Sequence, residues 1–325
     1  AGAGDANYQA ALQALCLRVA TAYFGVLGAE DALAYAQANE DAYRQQVQQS
    51  DQRYRTGLAA LVDLDQARAY HAAARGNTIA ARSALADARE ALAEITGQPV
   101  ATLQPLRSVL PMDPPSPADP QAWVEASLQH NPLLGAQRLG LDAAEHAIAA
   151  AQGQHLPTLT AGLDVGRQAT WPGAAGTVQD GRTPTTATVG LTLRVPLFAG
   201  GATQSLVRQA VWQRDATRDG LESRRRQLAR ETLAQYRNVL AGIEQMRAAS
   251  EAVEAAGKAL AATRSGQELG TRSMTDLLLA IQTLTAAQGA HSQSRIQFVL
   301  SRLALKQAAG ALGEDDLAAV NALLQ

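Results

Sequence analysis

All twelve prolines of this 325-residue chain lie between Pro99 and Pro196, and this distribution limits the possible folds more than any other feature. Residues 1–98 and 197–325 contain no proline at all. Because proline inside a helix costs about 3 kcal/mol, two proline-free segments of this length indicate long helices. The sequence therefore predicts two helical arms on either side of a different, proline-containing middle part.

Both arms have the apolar spacing of coiled coils, with apolar residues at alternating intervals of three and four. These positions are Leu12, Leu15, Val19, Ala22, Val26, Ala29, Leu33 and Ala36 in the first arm, and Leu233, Tyr236, Leu240 and Ile243 in the second. The chain has 70 alanines and only 13 aromatic residues, which suits closely packed helices. We expect residues 1–98 and 200–313 each to form an antiparallel, coiled-coil-like helical hairpin.

Each arm is interrupted once, and the two interruptions share residues at the same offsets. The residues Gly57, Asp63, Leu64 and Ala67 recur 213 positions later as Gly270, Asp276, Leu277 and Ala280. Glycine fits the left-handed conformation that ends a helix, so each interruption is predicted to be a turn between two helices. We call residues 57–67 the first tip and residues 270–280 the second tip.

The ends of the two returning helices are also related. Ile95-Thr96-Gly97 and Ala311-Leu312-Gly313 are predicted to close these helices, at an offset near 216. Together with the tips, they indicate an internal duplication of helical hairpins. The alternative is chance similarity between alanine-rich helices.

The middle of the chain combines a connector, two helices and two strands. Residues 99–156 are predicted to hold a wrapped connector up to Pro120, then helices over 122–129 and 133–152. Over 158–165 and 188–195 apolar and polar residues alternate, which predicts two β-strands separated by a Gly/Pro/Thr-rich loop from Trp171 to Pro184. Strands of this kind, within residues 157–199, suit an outer-membrane β-barrel; a soluble surface hairpin with one packed face is the alternative.

Composition and motifs exclude several functional classes. The net charge of −2 gives no indication of nucleic-acid binding, and a single cysteine, Cys16, excludes an internal disulfide or a cysteine-based zinc site. No apolar run approaches the roughly 18 residues of a membrane-spanning helix, so none is expected. The five histidines lack metal-site spacing, and no nucleophile or phosphate-binding motif occurs. We expect neither an enzyme nor a bound metal or cofactor.

Several segments together resemble the TolC family of outer-membrane channel-tunnel proteins over essentially the whole chain. Besides both tips, the matching segments are Thr21-Ala-Tyr-Phe-Gly-Val-Leu27, His155-Leu-Pro-Thr-Leu159, Val195-Pro-Leu-Phe-Ala-Gly-Gly201 and Ala311-Leu-Gly-Glu-Asp-Asp-Leu317. The resemblance implies a homotrimer with a twelve-stranded barrel in outer-membrane lipid and an α-helical barrel across the periplasm. Residues 99–156 would then form an equatorial connector and an upper helix, and residues 314–325 a C-terminal equatorial segment. It also implies a periplasmic adaptor and an inner-membrane transporter as partners, for efflux or type I secretion.

One large departure from that family concerns the strands. Members have two β-hairpins in each protomer, whereas only one is predicted here. With the offset of 213, the counterpart of Gly200 would lie upstream of Ala1. We therefore expect the other hairpin and the helix before it to precede this sequence. Six strands per trimer cannot close a barrel, so the chain alone is not expected to form a pore.

The resemblance also implies roles for residues at the tips. Asp276 would face the pore as a threefold carboxylate ring that favours cations, and Leu279 would replace a second acidic ring with an apolar collar. A simple helix cap is the alternative role for Asp276. Arg272 would pair with Asp63 of the neighbouring hairpin, and Gln267 occupies the position of a family tyrosine that helps this pairing. We call Asp63, Arg272 and Gln267 the gate latch.

The tips are also the expected docking site for a helical hairpin of the adaptor. The residues assigned to this docking site are Gly57, Leu58, Leu64, Gly270, Thr271 and Leu277. Two other functions compete with an exit duct. One is a coiled-coil scaffold without a pore, which does not explain the strands. The other is the periplasmic adaptor itself, which two duplicated hairpins make a poor fit.

Overall fold

The computed structural model describes residues 2–100, 102–167 and 185–325, and the chain is mainly helical. It divides into two units, Ala1–Ala136 with Ser223–Gln325, and Gln137–Glu222. In chain order the elements are α1 (Gly2–Arg55), α2 (Leu61–Thr96), α3 (Pro120–His130), α4 (Pro132–Gly153), β1 (Thr158–Arg167), β2 (Thr185–Arg194), α5 (Ala202–Glu268), α6 (Met274–Ala308) and α7 (Glu314–Asn321). The two proline-free arms are thus four long helices, as predicted. The predicted loop from Trp171 to Pro184 lies outside the described residues.

The helix bounds of the first unit repeat the duplication. α1 and α5 end 213 positions apart, at Arg55 and Glu268, and α2 and α6 begin 213 positions apart, at Leu61 and Met274. Buried side chains also recur at the offset of 213. Val26, Leu85 and Leu92 pack together in one apolar cluster, and their counterparts Val239, Phe298 and Leu305 belong to another. Equivalent positions therefore build equivalent cores, as expected of a duplicated hairpin.

One landmark of the predicted duplication was wrong. α6 ends before Gly310, whose φ of 73° matches the φ of 71° at Gly97 after α2. Gly313 instead begins α7, with an extended φ of −138°. The offset is therefore 213 here too, rather than 216. Sequence alone did not separate the two nearby glycines, because only the left-handed backbone marks the helix end.

The end of α6 is held by the junction between α3 and α4. Asn131 donates a side-chain hydrogen bond to the carbonyl oxygen of Ala308, at 3.1 Å, and Gln13 donates one to that of Gly310, at 3.0 Å. A Cβ atom on Gly310 would lie 2.5 Å from the carbonyl oxygen of His130, so only glycine fits. At Gly97, a Cβ would meet nothing within 4 Å.

The proline-rich connector forms no helix in its described residues 98–100 and 102–119, as predicted. It pairs with the end of the chain through a β-bridge between Leu106 and Leu324. Two tyrosines 213 positions apart hold it from opposite repeats. Tyr23 donates a hydrogen bond to the carbonyl of Gln104, at 2.9 Å, and Tyr236 donates one to that of Ala118, at 2.7 Å.

The second unit contains the two predicted strands, which pair antiparallel from Thr158↔Arg194 to Arg167↔Thr185. Apolar residues face each other on one side, as in Leu159↔Leu193 and Leu163↔Val189. The other side carries threonines, glycines and the charged residues Asp164 and Arg194. Every residue of both strands is exposed, so the apolar side of the hairpin is uncovered. An uncovered apolar side of ten-residue strands is typical of a lipid-facing surface.

The expectation about apolar helices needs correction. Within the described residues, one helix, α1, contains an 18-residue window with a mean hydropathy of 1.5 and at most two charged residues. It could therefore cross a membrane by length and composition alone. In its apolar part, leucines, valines, alanines and Phe24 are interrupted by polar residues such as Gln13, Arg18 and Thr21, so the high mean hydropathy does not come from a continuous apolar run. The core helix of a soluble protein passes the same test.

Candidate functional site

The turns at the two tips have the same backbone geometry. Gly57 and Gly270 have φ values of 74° and 75°, as predicted for the residues that end α1 and α5. Leu58 donates its backbone N–H to the carbonyl of Arg53, and Thr271 donates to that of Gly266, both at 2.8 Å. This bond closes the last helical turn, and a side chain at either glycine would strain the backbone.

Both tips lie at the same end of the first unit. Thr275 of the second tip donates a hydrogen bond to the side-chain oxygen of Gln66 in the first tip, at 2.9 Å. An apolar cluster also joins the two hairpins and contains Tyr43, Ala74, Met274, Leu277, Leu278 and Ile281. The Tyr43 hydroxyl donates to the carbonyl of Leu278, at 3.1 Å. Burial, with a smaller contribution from Tyr70, raises the pKa of Tyr43 to about 12, so this hydroxyl keeps its proton at all physiological pH values.

Asp276 caps its own helix. Its backbone N–H donates to the Ser273 hydroxyl, at 3.1 Å, and its carboxylate accepts from the Ser273 N–H, at 3.0 Å. This reciprocal pair is a capping box at the start of α6. Hydrogen bonds from Ser273, first of all from its backbone, hold the pKa of the Asp276 carboxyl below its usual value, and the charge of Arg272 adds to this effect. The capping role that the sequence left open is therefore present.

Asp63 occupies the same position in the first tip but in a different environment. The residue before α2 is Ala60, which has no side-chain cap to offer, whereas Ser273 stands at the equivalent point before α6. Among the residues that the structure describes, the Asp63 carboxylate has no hydrogen bond or ion pair. The two equivalent aspartates therefore differ. The Asp276 carboxylate caps its own helix, whereas the Asp63 carboxylate has no partner among the described residues.

The three residues of the gate latch do not bond to one another within the chain. Gln267 is buried, with 8% of its surface exposed, and Arg272 is exposed. In the described part of the chain, no ion pair or hydrogen bond joins either of them to Asp63. A pairing of Arg272 with Asp63 would have to come from another copy or from another state of the tips.

The docking residues divide into exposed and buried ones. Leu58 has 73% of its surface exposed, and Gly57, Gly270 and Thr271 are exposed as well. Leu64 and Leu277 are only 2% and 1% exposed, so their assignment to an accessible surface was wrong for this chain. Their positions belong to the apolar seam of the returning helices, which turns them inwards.

Other exposed apolar residues at the first tip were missed. Leu61 and Val62 are 48% and 64% exposed, whereas Met274, the counterpart of Leu61, is buried, and Thr275, the counterpart of Val62, is polar. A residue-by-residue comparison of the two tips in the sequence would have revealed this asymmetry. The first tip therefore exposes three large apolar side chains, those of Leu58, Leu61 and Val62, whereas the second tip exposes that of Leu279.

Over the residues described, no group of three or more metal-binding side chains occurs. The described residues of the tips offer charge at Asp276 and Arg272, exposed apolar surface at the first tip, and a repeated backbone turn. Two repeated helical hairpins joined near their turns, and a strand pair whose apolar side is uncovered, are the features expected of an outer-membrane channel protomer.

Comparisons with known proteins agree with this class. A family model described as "Outer membrane efflux protein" matches residues 1–98 and 123–311, and the chain belongs to this family. The chain is 36% identical to the outer membrane protein TolC of Vibrio cholerae over 99% of its own length and 73% of the relative's. It is 29% identical to the alkaline protease secretion protein AprF of Pseudomonas aeruginosa, of which it spans 66%. The outer-membrane channel OprN has the same fold, with a TM-score of 0.78 and 20% identity, over 95% of this chain and 69% of that one.

These comparisons support an outer-membrane exit duct for efflux and type I secretion, with a helical part that extends into the periplasm. The alternatives of a poreless scaffold and of a periplasmic adaptor are thereby overturned. Relatives that serve secretion and efflux systems also imply partner proteins. The relatives are channel proteins rather than enzymes.

Proposed function

We propose that three copies of the complete protein surround one axis and form a passive duct that closes at the tips. The observation that carries this proposal is the joining of both tips at one end of the first unit, through Thr275 and Gln66 and the apolar cluster beneath them. Three copies would bring six tips around a single opening. Residues 157–199 would supply the strands in lipid, and residues 99–156 and 314–325 would surround the duct at its equator.

Asp276 is proposed to form the charged ring of this opening. Its cap leaves part of the carboxylate exposed, and its lowered pKa keeps the group ionised, so three copies would favour cations and disfavour anions. Leu279 lies one turn further along α6 and is 46% exposed. It would add an apolar collar inside the ring.

The gate latch is proposed to act between copies. Asp63 has no partner in the described part of its own chain, and Arg272 is exposed, so each is free to pair with the other across a protomer boundary. One exposed pair of this kind contributes only about 0–1 kcal/mol. Three equivalent pairs would still bias the tips towards the closed state, with Gln267 supporting them from its buried position.

Opening is proposed to require a periplasmic adaptor that binds separated tips better than closed ones. The exposed docking residues Gly57, Leu58, Gly270 and Thr271 would meet a helical hairpin of that adaptor. The apolar first tip, with Leu58 most exposed, would bury the larger area. An inner-membrane transporter would deliver the cargo to the opening.

The substitution Arg272→Ser in the complete protein tests the latch. We expect a higher single-channel conductance in planar lipid bilayers, because the variant loses the latch cation. Arg264→Ser is the matched control, since it removes an exposed arginine of α5 close to the turn that holds Arg272, and its conductance should remain that of the unsubstituted protein. Heat-sensitive trimers on a gel would test the assembly separately. Unchanged conductance of Arg272→Ser in intact trimers would refute the latch.

A further inference from the structure

After Gly270 the chain folds back over Gly266, which lies in the last turn of α5. Its carbonyl oxygen accepts three hydrogen bonds, from the N–H groups of Thr271 and Arg272 at 2.8 and 3.1 Å and from the Thr271 hydroxyl at 3.0 Å. The two residues after Gly270 therefore lie directly over Gly266. This glycine was not identified from the sequence as a functional residue.

The space above Gly266 is filled by the side chain of Arg272. A Cβ atom on Gly266 would lie 2.7 Å from the Cγ atom of Arg272 and 3.2 Å from the Thr271 hydroxyl oxygen. The backbone itself does not require glycine, because Gly266 is absent from the described glycines of positive φ. Glycine inside a helix destabilises it by about 0.5–1 kcal/mol relative to alanine. The close approach of Arg272 is the feature that explains a glycine here.

The first tip provides an internal comparison. Its equivalent of Gly266 is Arg53, which accepts the same backbone hydrogen bond, from Leu58 at 2.8 Å. Its equivalent of Arg272 is Ala59. The large side chain thus lies on the helix in the first tip and on the turn in the second. The two positions are complementary in size within each tip.

We propose that Gly266 is a positioning residue of the gate, which seats the aliphatic stem of Arg272 against α5 and so fixes the guanidinium for pairing with Asp63 of a neighbouring hairpin. This inference rests on the gate latch proposed above. Packing against Gly266 restricts the long Arg272 side chain before it pairs with Asp63. Less conformational entropy is then lost on closing, and a weak exposed pair becomes a more effective latch.

The test is Gly266→Ala in the complete protein, measured as single-channel conductance in planar bilayers. We expect a conductance between that of the unsubstituted protein and that of Arg272→Ser, although the charge is unchanged. The matched control is Gly257→Ala in the same helix, where a Cβ atom meets nothing within 4 Å, and its conductance should not change. The double variant Gly266→Ala with Arg272→Ser should conduct no more than Arg272→Ser alone.

The outcomes separate this inference from the latch itself. If Arg272→Ser raises the conductance and Gly266→Ala does not, the positioning role is refuted and the latch stands. If neither variant changes it, the latch and the positioning role both fail. If Gly266→Ala inserts no channels, the double variant Gly266→Ala with Arg272→Ala is measured instead. It has no Cγ atom at position 272 to meet the new Cβ, so it should assemble as well as Arg272→Ala alone. An equal assembly defect in that double variant would overturn the proposal.

Discussion

Alanine at Gly310 should destabilise the protein far more than alanine at the duplicated position Gly97. Both glycines have a left-handed backbone, which costs an alanine roughly 1–2 kcal/mol. Only Gly310 also meets backbone atoms, because its Cβ would lie 2.5 Å from the oxygen of His130 and 2.8 Å from the Cα of Asn131. Relieving such an overlap costs about 1–3 kcal/mol more. We therefore expect a total of about 2–5 kcal/mol for Gly310→Ala and 1–2 kcal/mol for Gly97→Ala.

The measurement is the thermal unfolding of the two variants of the complete protein, followed by circular dichroism under identical conditions. Gly97→Ala is the control for the cost of a left-handed alanine, since its Cβ would meet no other atom within 4 Å. The midpoint of Gly310→Ala should be lower than that of Gly97→Ala by several degrees. Equal midpoints would refute the reasoning, because they would mean that the junction of α3 and α4 does not press on the end of α6.

Further predictions concern the second tip. Asp276→Asn removes the charge but keeps an acceptor for the Ser273 N–H, so block of the duct by hexamminecobalt in planar bilayers should weaken; undiminished block would leave Asp276 as a cap alone. Because the folded pKa of Asp276 is lowered from its ordinary 3.8, the charge and the stability that it contributes are lost only as the pH falls through that lowered value. In the single chain this keeps Asp276 ionised at neutral pH, so block by the cation should be present there, and its absence at neutral pH would contradict the assignment. Ser273→Ala should cost about 1 kcal/mol of stability and bring the loss of block to a higher pH, and an unchanged pH profile would count against the role of Ser273.

The long helices and their turns were predictable because their signals are local. The absence of proline, the spacing of apolar residues and the glycines at positions 57 and 270 each act within a few residues. The strands followed from alternation alone. The burial of Leu64 and Leu277 was also within reach, since both continue the three-and-four spacing of their helices. The error came from reading the tip as one exposed surface.

Contacts between distant segments were not predictable in the same way. The choice of Gly310 over Gly313 as a helix end depends on the backbone of residues 130 and 131, far away in the chain. The packing of Arg272 on Gly266 is a local contact, but it too was missed, because it depends on the path of the turn, which neither residue type determines. The charged ring, the latch and the docking surface remain predictions, because they require further copies or a partner chain.

The two tyrosine hydroxyls on the connector have a mechanical consequence. Tyr23 and Tyr236 each lie 32 residues before the end of their helix, at Arg55 and Glu268. About 50 Å of helix therefore extends beyond each tethered point, at 1.5 Å per residue. With the connector as pivot, each hairpin is a long lever, and a tilt of a few degrees becomes a displacement of several ångströms at its far turn. Small rearrangements near Gln104 and Ala118 would thus be amplified along the whole arm.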